Sequence, residues 1–300
     1  MLSRFQACLS TCSWKYSPSF EDYRFLHRQL RLQLHLRSNL NHRNNDIIRF
    51  FSVYNNSKNK PDSISKNCEK LETMVNADTQ VHDNSILLGD PVVRKNDEDE
   101  EPDPLVLLVL NTQVERKLFR SLWKRSAIRI CADGGANRLY DEYSNSKMAS
   151  ELNECKVGAH CFIPDYVRGD LDSIRSEVAQ FYADLGTKIE KVHDQDSNDM
   201  EKCLDFLQRL QAERNQRFSV VALGSFGGRF DQTMANLNAA YKWNGVFSNL
   251  VLISTHSLGF LLSAGSHKII INKDFETTTC GLLPIGTPSE SVTTKGLKWN

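Results

Sequence analysis

The chain has 300 residues, enough for one or two domains with a sizeable core. Its 37 Lys+Arg balance 37 Asp+Glu, so no whole-molecule field points to nucleic acid or membrane, and the longest aliphatic run, LVLLVL at 105–110, is far too short to span a bilayer. None of the eight cysteines forms a C-x-x-C pair and several sit in apolar runs, which disfavours a zinc site or disulfide framework and reads as a soluble protein of a reducing compartment.

Residues 1–104 differ from the rest of the chain. Their first fifty positions carry eight Lys/Arg against Glu21, Asp22 and Asp46. The acids in SFEDYRF argue against a transit peptide, so the expectation is a disordered or poorly structured extension on a cytoplasmic protein. A mitochondrial targeting segment is the alternative. KNDEDEEPDP (95–104) reads as an acidic linker that closes this extension.

From Leu105 the pattern alternates. LVLLVL reads as a strand, followed by Val114, Leu118 and Leu122 at helical spacing. AIRICA is a second strand, with a helical piece around Asn137 to Tyr143. HCFIPDYV is a third, before a helix through Ile174, Val178, Phe181 and Leu185. TKIEKV precedes a helix bearing Met200, Cys203, Leu204, Leu207 and Leu210. FSVVAL precedes one bearing Phe230, Met234, Leu237 and Tyr241, and NLVLIS is the sixth strand. Strands alternating with amphipathic helices predict an α/β domain over 105–254 built on an open, mostly parallel, Rossmann-like sheet. Beyond Ser254 the helical period stops. FLLSAGSHKIIINK and CGLLPIGTPSESVTT read as short strands with Gly/Pro turns, so a separate β-rich domain is expected over 255–300.

Open α/β sheets bind ligands beyond the carboxyl ends of their strands, so the residues just after each strand carry the functional reading. The second strand is followed by CADGGAN with Asp133, the third by RGDLDSI with Asp170 and Asp172. DQDSND with Asp194, Asp196 and Asp199 follows the fourth. GSFGGRFDQ with Gly224, Gly227, Gly228, Arg229 and Asp231 follows the fifth. Crowded carboxylates repel unless a cation neutralises them, and Mg²⁺ suits such an edge. Glycines beside a helix N-terminus let amides approach phosphate. Together they suggest a magnesium–nucleotide site. Each motif also has a plainer reading: Asp196 as N-cap with Asp199 in the first helical turn, Asp172 as N-cap, GSFGGR as an ordinary loop, Arg229 paired with a neighbouring acid. P-loop and dinucleotide fingerprints are absent. A metal-dependent glycosyltransferase would use the D-x-D in DLD but leaves GGRFDQ unexplained.

CADGGANRLYD, GDLDSI, DQDSND, GGRFDQ and the terminal TTKGLKWN, in this order, resemble the thiamine pyrophosphokinase family from about Leu105 to Asn300. The resemblance implies an α/β domain, a β-sandwich domain and a homodimer with sites between subunits. It implies Mg²⁺-dependent transfer of pyrophosphate from ATP to thiamine, releasing AMP. Carried over residue by residue, Asp133, Asp170, Asp172 and Asp199 match the acids around magnesium and triphosphate, and Gln195 a polar residue at the reacting groups. Gly134, Gly135, Asn137, Ser173, Gly224, Gly227, Gly228, Arg229 and Asp231 fall to the nucleotide. Trp299, with Asn300 beside it, matches an aromatic that packs on thiamine, and a flat cationic heterocycle suits an indole face. Family members continue past GLKWN, whereas this chain stops at Asn300. The expectation is therefore a C-terminally truncated sandwich, with a catalytically silent nucleotide- or thiamine-binding subunit as the alternative function.

Overall fold

The fold is taken from a computed structural model that describes residues 47–52 (backbone only), 79–84, 103–113, 115–144, 162–271, 276–277, 279–285, 288–289 and 291–297. The strands are β1 (Ile47–Ser52), β2 (Gln80–Asp83), β3 (Leu105–Val109), β4 (Ile128–Ala132), β5 (Tyr166–Gly169), β6 (Lys188–Lys191), β7 (Ser219–Leu223), β8 (Asn249–Ile253), β9 (Ser257–Leu262), β10 (His267–Ile270) and β11 (Cys280–Pro284). The helices are α1 (Arg116–Arg125), α2 (Gly135–Leu139), which runs into a π turn at Tyr140–Ser144, α3 (Ser176–Asp184), α4 (Asp199–Arg214) and α5 (Phe230–Lys242).

One nine-stranded sheet has the order β11-β1-β9-β8-β7-β3-β4-β5-β6. All pairings from β8 through β6 are parallel, as the alternation of strand and helix predicts, whereas β9, β1 and β11 pair antiparallel. The chain winds outward from β3 in both directions, through β4 to β6 on one side and through β7 and β8 on the other. The order reverses between β3 and β7, which makes that gap the topological switch point.

The pleat divides the core into two layers. Leu105, Leu107 and Val109 of β3 face Leu118, Phe119, Leu122 and Trp123 of α1 and Val178 and Tyr182 of α3. Val106 and Leu108 face the opposite layer with Met200, Cys203, Leu204 and Leu207 of α4 and Leu237, Ala239 and Ala240 of α5. Both faces of β3 and β7 are buried, hence their unbroken aliphatic runs. The lysines at both ends of edge strand β6 keep its outer rim solvated.

Three expectations change. The range 1–104 is not without regular structure: β1 pairs with both β9 and β11, and β2 pairs with β10. IIRFFS is a β-branched and aromatic run, and partners more than two hundred residues away supply its ladder. The strands after Ser254 do not open a layer of their own at that point, because β9 turns back antiparallel onto β8 and extends the same sheet. The stripe expected to bury α5 is also only partly buried: Phe230 is 77% exposed and Met234 39%, while Asn236, Leu237, Ala239 and Ala240 turn inward. Small alanines let the helix approach the sheet closely, and the first turn is left outside. Val114, Trp299 and Asn300 lie outside the described residues.

Candidate active site

The loops after β3, β4, β5 and β7 converge on the switch point. They enclose a cavity of about 230 Å³ lined among others by Asn111, Thr112, Gly134, Asp199, Gly227 and Arg229. A cavity of this size accommodates a few phosphate groups rather than a whole nucleotide.

The acidic half is built around Asp133, which directly follows β4 with a left-handed φ of 38° and no solvent exposure. Its carboxylate accepts the amides of Ser173 (3.1 Å) and Ile174 (2.9 Å), which ties the loop after β4 to the loop after β5. Oxygens of Asp133, Asp170 and Asp199 lie within 4.8 Å of one another. Gly169 makes that approach possible. A Cβ there would stand 2.6 Å from the Asp133 Cβ and 3.1 Å from Asp199 Oδ1. Leu171 turns the chain between Asp170 and Asp172 with a φ of 59°, a conformation that costs a non-glycine residue energy and is common at functional turns.

Burial pushes the Asp133 carboxyl up to about 6, against the pull of its two amide donors, and the neighbouring Asp199 and Asp170 charges push the same way. Burial also raises Asp199 above the ordinary carboxylate range, with Lys202 acting in the opposite direction. At Asp170 burial is outweighed by Lys202 and the Asp172 amide, so its carboxyl titrates lower than usual. Lys202 is the local cation: its ammonium lies 3.1 Å from Asp199 Oδ1 and 3.2 Å from Asp170 Oδ2. Three hard oxygen donors in a cradle that one methyl group would fill fit a small hard cation such as Mg²⁺.

The remaining acids and amides sort themselves by position. Asp172 stands outside the three-carboxylate cluster, exposed, and accepts the Ser173 hydroxyl at 2.8 Å. Asn137 bridges α2 to the β5 loop, donating to the Ser173 carbonyl (2.8 Å) and accepting the Arg175 amide (3.0 Å). Gly135 starts α2 against β3, where a Cβ would collide with the Val109 carbonyl at 2.3 Å; at Gly134 it would meet Asn111 Nδ2 at 2.5 Å. Gln195 lies exposed on the loop before α4. The N-cap of α4 is Asn198 rather than Asp196, in a capping box with Glu201, and Asp199 is the first helical residue. Asp194 instead folds its own loop by accepting the Asp196 amide at 2.8 Å. Likewise α3 begins at Ser176 after Arg175, so Asp172 does not cap it.

The glycine half is formed by the loop from β7 to α5. Gly224, Gly227 and Gly228 have φ values of 90°, 95° and 67°, conformations in which a side chain is strained. Arg229 is the N-cap of α5 without a side-chain capping bond of its own, and the exposed Asp231 carboxylate lies at the first amides of that helix. Arg229 and Asp231 are exposed and form an ion pair with each other. A helix N-terminus, an exposed guanidinium and left-handed glycines are the features from which anion-binding turns are built.

Four contributors escape the strand-end reading. Lys202 sits three residues after Asp199, hence on the same helical face. Gly169 is invisible to any charge-based search. Asn111 and Thr112 follow β3, a strand end that the acid-and-glycine criterion passes over.

Residues 119–252 match the family profile described as "Thiamin pyrophosphokinase, catalytic domain", and residues 266–300 match "Thiamin pyrophosphokinase, vitamin B1 binding domain". Thiamine pyrophosphokinase 1 of Arabidopsis thaliana is 39% identical over 232 residues, covering 74% of this chain and 80% of that protein. Thiamine pyrophosphokinase 1 of Oryza sativa subsp. japonica is 38% identical over 205 residues, 67% of this chain and 75% of the relative. Among solved structures, thiamin pyrophosphokinase from Candida albicans aligns with a TM-score of 0.51 at 26% identity, over 66% of this chain and 70% of the other. No helix among the described residues is long and apolar enough to cross a membrane. The chain belongs to the thiamine pyrophosphokinase family.

Proposed function

We propose that the protein transfers the pyrophosphoryl group of ATP to the hydroxyl of thiamine, giving thiamine diphosphate and AMP. The observation that carries this reading is the meeting of an acidic cluster and a glycine turn at the switch point of a sheet in this family. Asp133, Asp170 and Asp199 would hold Mg²⁺, which neutralises charge on the triphosphate when bound. Asp172 and Gln195, on the adjoining exposed loops, reach toward the reacting groups. Gly134, Gly227, Gly228 and the first amides of α5 approach phosphate oxygens, and Arg229 exchanges Asp231 for phosphate. Ser173 and Asn137, assigned to the nucleotide, also brace the site: the Ser173 amide donates to the Asp133 carboxylate, and Asn137 holds the Ser173 carbonyl. Transfer of this kind needs in-line positioning and charge neutralisation rather than a covalent intermediate. Trp299 and Asn300 in GLKWN are assigned to thiamine from the family motif, within the stretch that matches the vitamin B1 binding profile.

A homodimer is part of the reading. Its support is the exposed apolar pair Phe230 and Met234 on α5, a surface that association would cover. A cytoplasmic location is supported by the free, buried thiols of Cys131 and Cys203. The test is AMP release by the purified chain with ATP and Mg²⁺, with and without thiamine, alongside Asp199→Asn. AMP formation that depends on thiamine and is lost in the variant is expected. ATP turnover indifferent to thiamine would overturn the assignment.

A further inference from the structure

Lys202 stands where the reading above places a metal ion. Its side chain is only 3% exposed, and its stem leaves α4 between Met200 and Cys203, both in the core. A lysine held this way cannot swing its ammonium into solvent without leaving its packing. The ammonium donates to Asp170 Oδ2 and Asp199 Oδ1, two of the three carboxylates that converge beneath Gly169. Bringing three carboxylates within 4.8 Å is costly without a positive charge, and a buried ammonium is equally costly without acids. Each side of the arrangement therefore neutralises the other before any ligand arrives.

We propose that Lys202 is the resident counter-ion of the acidic cluster: it holds Asp170 and Asp199 in place in the metal-free protein and competes with the divalent cation for their oxygens. The role rests on the magnesium reading above. It makes Lys202 a positioning residue with two opposed effects, preorganising the cluster while weakening its grip on metal. A cation that enters must share or displace these two ion pairs. Metal binding is then weak without nucleotide, with tight binding reserved for the metal–nucleotide complex.

The test is Mn²⁺ binding to the nucleotide-free full chain, followed by electron paramagnetic resonance, for the wild type, Lys202→Met and Lys202→Arg. Removing a positive charge about 3 Å from two ligands should tighten Mn²⁺ binding by on the order of tenfold or more. Lys202→Arg keeps the charge and should stay within roughly threefold of wild type. In EDTA, Lys202→Met should melt below wild type, and Mn²⁺ should raise its Tm by more than it raises that of the wild type. A merely structural lysine would lower the Tm without tightening metal binding. Lys202→Gln, which keeps an N–H donor to the same carboxylates, serves if the Met variant does not fold, with the same direction expected. Unchanged or weaker Mn²⁺ binding in a folded neutral variant overturns the counter-ion role while thiamine-dependent AMP release by the wild type keeps the function reading intact. Absence of Mn²⁺ binding in every variant overturns the metal assignment along with it.

Discussion

The two halves of the crevice solve the same electrostatic problem in opposite ways. Around β4, β5 and α4 the charges are satisfied internally: Asp133 by two amides, Asp170 and Asp199 by Lys202, and the first turn of α4 by Asn198. Around β7 and α5 the groups face outward: Arg229 makes no side-chain cap at α5, and its partner Asp231, which also reaches the first amides of the helix, is exposed. The acidic half is preorganised at the cost of stored repulsion and desolvation. The glycine half holds its donors in solvent-exposed contacts with Asp231 that a ligand can replace. A rigid half suits the group that must be placed for chemistry, and an open half suits the anion that comes and goes.

If this contrast is right, changes in the acidic half strike kcat and changes in the glycine half strike KM for ATP. The largest effect is expected from Asp199→Asn, which should lower kcat by on the order of a hundredfold or more. Gly169→Ala should come close to it, because a Cβ 2.6 Å from that of Asp133 must push the carboxylates apart. Overpacking of that kind also costs about 1–3 kcal/mol of stability, so kcat has to be compared at a temperature where the variant is folded. Steady-state kinetics in which Gly169→Ala raises only KM for ATP would erase the distinction between the halves.

The second expectation concerns protons. The Asp133 carboxyl holds its proton up to about pH 6 in the metal-free fold, well above its ordinary 3.8. The folded state therefore binds more protons than the unfolded state between these values, and the stability this group contributes is lost as pH rises through 6. A cation seeking the same oxygens meets the reverse trend. Mg²⁺ affinity should rise by on the order of tenfold from pH 5 to pH 7 and then level off. Calorimetric titration at several pH values would read it directly, and an affinity flat across that range would mean that Asp133 is not a ligand. Arg229→Ala, in the other half, should show no such pH dependence and should raise KM for ATP by roughly tenfold, as loss of one charge-assisted hydrogen bond predicts. An effect on kcat alone would move Arg229 to the reacting centre.

Much of this contrast is legible in the sequence, and the part that is not has a physical reason. The strands after Leu105 announce themselves because both of their faces are buried, so hydrophobic runs of four to six residues alternate with helical periods. Once strand ends are known, the acids and glycines beyond them fall on one edge by topology alone. Burial at a helix face is harder to read. Phe230 and Met234 continue an apolar period that the small residues Ala239 and Ala240 terminate in fact, and Lys202 looks like a solvated position until Asp170 arrives from a different loop. Long-range pairing hides β1: IIRFFS lies in a basic, polar stretch, and its ladder partners sit at 257–262 and 280–284. Capping is legible only as a tendency, since DQDSND offers several residues able to cap and the geometry selects Asn198.

That selection provides the smallest and sharpest test of the contrast. The Asn198 side chain accepts the Glu201 amide at 2.8 Å, and the Glu201 carboxylate in turn accepts the Asn198 amide. Asn198→Ala removes one half of the box and leaves Glu201 tethered, because its other oxygen pairs with Lys242 at 2.9 Å. The expected loss is about 1 kcal/mol, or roughly 2–4 °C in Tm for a domain of this size. Asp199 begins the helix that this cap secures, yet its position is also held by Lys202 and by the wall at Gly169. Metal affinity should therefore change by less than about threefold even as the melt shifts, since the Coulomb terms around the cluster are untouched. A larger loss of Mn²⁺ affinity in Asn198→Ala would show that the cap and not the buried ion pairs fixes the acidic half, and that the two halves are built alike.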